Sequence, residues 1–74
     1  MELKTLGYLC KCTRMRKAVP QKDVAREVKT SAQNICEFEQ GRNNSAKILL
    51  WYVEHGLSDV LDEYRRGNGV NGCL

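Results

Sequence analysis

Residues 20–41, PQKDVAREVKTSAQNICEFEQG, restrict the fold of this chain more than any other stretch. Proline starts a helix well but breaks its interior, so a helix is expected to open at Pro20 or Gln21. Gly41 is a natural helix stop. Between them, Val24, Ala25 and Val28 recur at helical spacing, as do Ile35 and Phe38, with Lys29-Thr30-Ser31 as the break. Ser31 suits the N-cap of the second helix. Two short helices with so few apolar residues must cross steeply around a small shared core, and the small Ala25 lets the second approach closely. That second helix keeps a narrow apolar edge of Ile35 and Phe38, with Cys36 at its margin, where a core helix would bury a broader stripe. Ala32, Gln33, Asn34 and Glu37 are left on the other side, for something else.

The remainder reads as helices with no strand and no internal repeat. Leu3, Leu6, Cys10 and Thr13 recur at spacings of three and four, which predicts a first helix over 2–17, interrupted by Ala18-Val19-Pro20. Arg42-Asn43-Asn44 is a polar loop. Ser45 is placed to cap a fourth helix supplied by Ile48, Leu49, Trp51, Tyr52 and Val53 and closed by Gly56. Ser58 is placed to cap a short fifth helix carrying Val60, Leu61 and Tyr64. Residues 67–74, rich in Gly and Asn, cannot bury enough to order themselves and are expected to form a flexible tail. The expectation is therefore an all-α, compact five-helix domain over 1–66.

Seventy-four residues make one small domain, near the lower limit for folding without staples. Without a long apolar run, neither a signal peptide nor a membrane span is expected, which favours the cytoplasm. In that reducing compartment Cys10, Cys12, Cys36 and Cys73 are expected as thiols. The net charge of +3 is unevenly spread. Residues 1–44 carry nine Lys or Arg against five acids, a net +4; residues 45–74 carry three against four, a net −1. A positive surface is the footprint of a polyanion binder, although basic residues also solvate ordinary helix faces.

The two crossing helices at 21–40 have the helix-turn-helix arrangement, in which one edge of the second helix is pinned and the opposite edge can enter the DNA major groove. From about Leu9 to Leu57 the chain resembles the phage-repressor helix-turn-helix family, the Cro and lambda-repressor-like or XRE group. The matching pieces are Arg14, Gln21, "VA" at Val24-Ala25, Ser31, Ile35 and "FEQGR" from Phe38 to Arg42. The resemblance implies a lambda-repressor-like domain. In it Gln21 contacts a phosphate, Ala32, Gln33 and Glu37 face base edges, and Arg14 pairs with Glu39 to link the first and third helices. The chain departs from the family at Lys29, where Gly is usual. If that position is left-handed, Lys costs roughly 1 kcal/mol there.

The residue types suit those roles. Gln33 can pair bidentately with adenine N6 and N7. Glu37 either accepts from cytosine N4 or repels the backbone and so rejects wrong sites. Ala32 offers a methyl to thymine or is a spectator. Asn34 is better placed for a phosphate or sugar than for a base. Gln21, Arg42, Asn43 and Asn44 flank the presented helix and suit phosphate contacts, which position the protein without reading sequence. Lys22 and Lys29 are further phosphate candidates, or ordinary solvated lysines. Arg14 and Glu39 form a structural pair.

Other chemistry finds little support. Cys10 and Cys12 point about 200° apart on a helix, so they cannot share one metal ion with His55. Cys10 suits the core, and His55 suits the cation-favouring end of the fourth helix. No catalytic triad or paired carboxylates stand out. The expectation is a non-enzymatic, sequence-specific regulator of transcription from a phage, plasmid or bacterium. It needs no cofactor and binds a double-stranded DNA operator as a homodimer, because one short helix reads too few bases. Leu57 and Leu61 are expected to form the dimer patch, since residues 45–66 hold more large apolar groups than a small interior needs. The alternative is a protein-interaction module such as an antitoxin or anti-regulator, supported if Trp51, Tyr52 and Leu57 are exposed. A purely structural helical bundle is a third reading.

Overall fold

The computed structural model describes residues 1–67. Five helices follow in order: α1 Leu3–Arg16, α2 Gln21–Val28, α3 Ala32–Glu39, α4 Ala46–Glu54 and α5 Leu57–Arg65. The chain is all-α, with no strand among the described residues. All but Gly67 of the tail expected at 67–74 lies outside them.

Helix α1 is the hub. It packs on α3, α4 and α5, while α2 packs on α3 and α4. This two-sided role buries more of α1 than one stripe would: Gly7, Leu9, Cys10, Cys12 and Thr13 are all inside. Leu3, expected on the inner face, is 50% exposed at the first position of α1. Thr13 is reconciled with burial by donating to the Leu9 carbonyl at 3.0 Å. At Gly7 the backbones of α1 and α3 touch. A Cβ there would come within 2.6 Å of the Glu39 carbonyl oxygen, so only glycine permits this approach.

The turns show a shared device. Helices α1, α2 and α3 each end with one residue at positive φ: Ala18 (55°), Lys29 (64°) and Gly41 (81°). In each case the next backbone N–H reaches back to a carbonyl five residues earlier: Val19 to Arg14, Thr30 to Ala25, and Arg42 to Glu37. This is the Schellman ending. Gly41 adopts it without strain. Lys29 adopts it as an L-residue, with the positive φ that its departure from Gly raised, and Ala18 does so without a sequence signal.

The helix starts follow the sequence with one correction. Ser31 accepts from the Asn34 N–H at 3.2 Å and Ser45 from the Ile48 N–H at 3.4 Å. Ser58 does not cap α5, which starts one residue earlier at Leu57; Gly56, at φ 105°, turns the chain directly into the helix without a side-chain cap.

The core is built from Leu9, Val24, Ala25, Ile35, Phe38, Ile48, Trp51, Tyr52, Leu57 and Val60, with Cys10 and Cys12. Phe38 stacks on Tyr52 at 5.6 Å, and Trp51 meets Tyr52 edge-on at 5.2 Å. Each large side chain so buried contributes about 1.5–3 kcal/mol. Leu57 is 2% exposed and belongs to this core, so it cannot offer a dimer surface; Leu61 is half-buried and packs against the core. Trp51, Tyr52 and Leu57 are buried together, which removes the feature that would have supported a protein-interaction module. Cys12 is disulfide-bonded, whereas Cys10 and Cys36 are free thiols. The expectation of four reduced cysteines therefore fails at Cys12, since a compartment argument carries no information about geometry. Cys73 lies outside the described residues.

Candidate nucleic-acid interface

Helix α3 is pinned along one edge and open along the other. Ile35 and Phe38 are buried, at 0% and 4% exposure. Ala32 and Gln33 are exposed, and Glu37 is half-buried. None of the three expected base-reading residues is buried. They are not independent, because Gln33 Nε2 donates to Glu37 Oε2 at 3.2 Å. That bond uses one amide hydrogen. The second hydrogen and the amide oxygen suffice for a bidentate pair with adenine.

Below α3 lies a polar cluster centred on Glu39, which is 6% exposed. Arg14 Nε donates to Oε2 at 2.7 Å and Nη2 to Oε1 at 3.1 Å, so the expected ion pair is bidentate. Arg14 Nη1 also holds the Val19 carbonyl at 3.0 Å, tying the end of α1 to the start of α2. Tyr52 donates its hydroxyl hydrogen to Oε2 at 2.6 Å and Gln21 its amide hydrogen to Oε1 at 3.0 Å. One carboxylate thus joins α1, α2, α3 and α4. The hydrogen bond that Arg14 donates to Glu39 raises the Arg14 pKa further, against the effect of burial. Burial, then the charge of Glu39, pushes the Cys10 thiol up to about 12. Burial, with the Glu39 hydrogen bond, also raises the Tyr52 phenol.

The residues expected on the DNA backbone divide into two groups. Lys22, Lys29, Arg42 and Asn44 are exposed around the ends of α2 and α3. The other three turn partly inward. Gln21 uses an amide hydrogen on Glu39. Asn34 donates to Thr30 Oγ1 at 2.7 Å, holding the turn before α3. Asn43 Oδ1 accepts from the Ser45 N–H at 3.0 Å, shaping the loop before α4. Asn34 and Asn43 therefore serve the local fold first. Only tertiary structure reveals this, because each amide's partner is as ordinary in sequence as the amide itself.

One wall of this region escaped sequence reasoning. Lys4, Tyr8 and Lys11 of α1 line a groove of about 600 Å3 with Gln21, Gln40 and Arg42. Their spacing was legible as one helical stripe, but nothing in the sequence placed that stripe beside α3. Among the described residues, no group of three or more His, Cys, Asp or Glu is placed to hold a metal ion. No helix among them is long and apolar enough to cross a membrane. Comparison of the chain with protein-family models, curated proteins and solved structures finds no match.

Proposed function

We propose that the chain is a sequence-specific double-stranded DNA-binding regulator of transcription, of the lambda-repressor-like helix-turn-helix kind, which inserts α3 into the major groove as a homodimer. The observation that carries this reading is the division of α3: Ile35 and Phe38 are buried, while Ala32 and Gln33 are exposed and Glu37 is half-exposed. Lys22, Lys29, Arg42 and Asn44 surround that edge with groups suited to phosphates. Gln21 retains one amide hydrogen for the same purpose. Glu39, held by Arg14, fixes the angle at which α3 is presented.

The reading makes the chain a binding protein without a catalytic step or cofactor. A phage, plasmid or bacterial setting follows from the resemblance, and a cytoplasmic one from where such DNA lies. Disulfides are rare in that compartment, so the bonded Cys12 is at odds with it. Dimerisation follows from the few bases one short helix can read. With Leu57 buried, α4 and α5 still offer an interface the half-buried Leu61 and the exposed Leu50, Val53 and Tyr64.

The deciding experiment is selection of bound duplexes from a random pool, followed by a gel shift with competitor DNA. Enrichment of one two-fold-related sequence is the expected result. No enrichment, with binding that competitor abolishes, overturns sequence-specific regulation.

A further inference from the structure

We infer that the outer face of α1 is a second surface for the DNA backbone: Lys4 and Lys11, with the Tyr8 hydroxyl between them, hold the phosphate strand beside the groove that α3 enters. The inference rests on the DNA-binding reading above. It extends that reading to a helix that otherwise supplies only the structural Arg14.

Three observations carry it. The first is placement. Residues 4, 8 and 11 form one stripe of α1. Lys4 and Lys11 are exposed, and Tyr8 is 45% exposed. All three line the groove of about 600 Å3 whose opposite wall includes Gln21, Gln40 and Arg42.

The second is rigidity. A Cβ at Gly7 would lie 2.6 Å from the Glu39 carbonyl oxygen, and a Cβ at Gly41 would lie 2.6 Å from the Lys4 Cα. The two backbones are in contact at both points. The first two turns of α1 therefore lie directly against the C-terminal end of α3 and the turn that follows it, with no layer of side chains between the backbones.

The third is charge. Lys4, Lys11 and Arg42 form no ion pair among the described residues. The only acid in the lining is Glu39, whose charge is already met by Arg14 at 2.7 Å. A cleft lined by uncompensated charges of one sign concentrates its field on an anion. Lys4 and Lys11 are two helical turns apart, about 10.5 Å along the axis. That is about three nucleotide rises of 3.4 Å along one strand, so an extended polyanion meets both ammonium groups and a single phosphate does not.

The test is a salt titration of duplex binding between about 50 and 200 mM, the range over which phosphate contacts are lost. It uses the full chain, its Lys4→Gln/Lys11→Gln variant, and Lys17→Gln/Arg66→Gln as a matched loss of charge elsewhere. All three are checked for helicity. For the α1 variant, the slope of log K against log salt should become shallower by about 1.8, from about 0.9 per phosphate. Its preferred sequence should not change, and the control should keep the parent slope. A parent slope in the α1 variant, or an equal change in the control, overturns the inference while leaving DNA binding intact. If the parent chain selects no duplex, the functional reading fails and this inference fails with it.

Discussion

Tyr52 and Arg14 meet at one atom. The Tyr52 hydroxyl lies 2.6 Å from Glu39 Oε2, the same oxygen that Arg14 Nε reaches at 2.7 Å. A side chain of α4 thereby completes a pair formed between α1 and α3. Tyr52→Phe removes one donor and leaves the pair standing, so it should cost about 1.5–3 kcal/mol. Glu39→Gln strips the buried Arg14 of its counter-charge and should cost about 3–5 kcal/mol. Urea unfolding of both variants checks the order. Equal costs would mean that the ion pair stabilises no more than the phenol does.

Lys29 carries strain that glycine would relieve. At φ 64° a non-glycine residue costs about 1–2 kcal/mol, partly offset by the greater freedom glycine has when unfolded. Lys29→Gly should therefore stabilise by up to about 1 kcal/mol, and Ala18→Gly, at φ 55°, should behave alike. Lys29→Ala keeps the strain and should gain nothing. Thermal denaturation of the three decides the matter. A Lys29→Gly chain no more stable than its parent would show that this turn stores no strain.

Stability should fall in alkali. Cys10 is raised from 9.0 to about 12, and Tyr52 is raised above its ordinary 10.0, chiefly by burial in both cases. Above pH 9 the unfolded chain begins to lose protons that the folded chain keeps, so rising pH favours unfolding. The contribution of both groups is intact below pH 9 and declines as pH climbs toward 12. Urea midpoints at pH 7, 9 and 10.5 should decrease in that order, and Cys10→Ala should delay the onset. A flat profile in the parent chain contradicts the burial of both groups.

Gln33→Ala should weaken binding to the selected duplex by about 1–3 kcal/mol and relax its choice at one base position. The Gln33–Glu37 bond adds a second expectation: Glu37→Ala should alter selection at a neighbouring position, because Gln33 loses its anchor. Repeating the selection with each variant tests both. An unchanged preference after Gln33→Ala means that Gln33 does not read DNA.

If the chain dimerises as proposed, the buried Leu57 does not carry the interface. Leu57→Glu places a charge in the core and should abolish cooperative folding. Leu50→Glu and Val53→Glu alter positions that are 60% and 50% exposed, so both should fold; if α4 forms the interface, both should sediment as monomers. A folded dimer in both variants would move the interface away from α4.

What could be read from sequence was mainly local. Ser31, Ser45 and Gly41 act within one turn of their own positions, and each does what its chemistry suggests. The Arg14–Glu39 pair was carried by resemblance rather than by spacing. Exposure of Ala32 and Gln33 followed from the narrow apolar edge of α3. The misplaced dimer residue has a tertiary cause. Whether Leu57 or Val53 faces inward depends on how α1 divides its surface among its neighbours, and no periodicity within a nine-residue helix contains that. The inward bonds of Gln21, Asn34 and Asn43 were hidden likewise, because an amide's partner comes from the fold.

The chain's single tryptophan is seated at the junction of α2 and α4. Trp51 donates its indole N–H to Glu27 of α2 at 3.2 Å, and its ring lies 3.9 Å from that of His55, nearly parallel. His55 in turn donates from Nδ1 to the Trp51 carbonyl at 2.6 Å. Tryptophan emission, excited selectively over tyrosine, therefore reports on this one seam. The α1–α3 contact beneath the presented helix carries no such emitter. A fluorescence transition that coincides with the loss of helicity would mean that the two halves come apart together. One that precedes it would reveal α4 peeling from α2 while the presented helix is still in place.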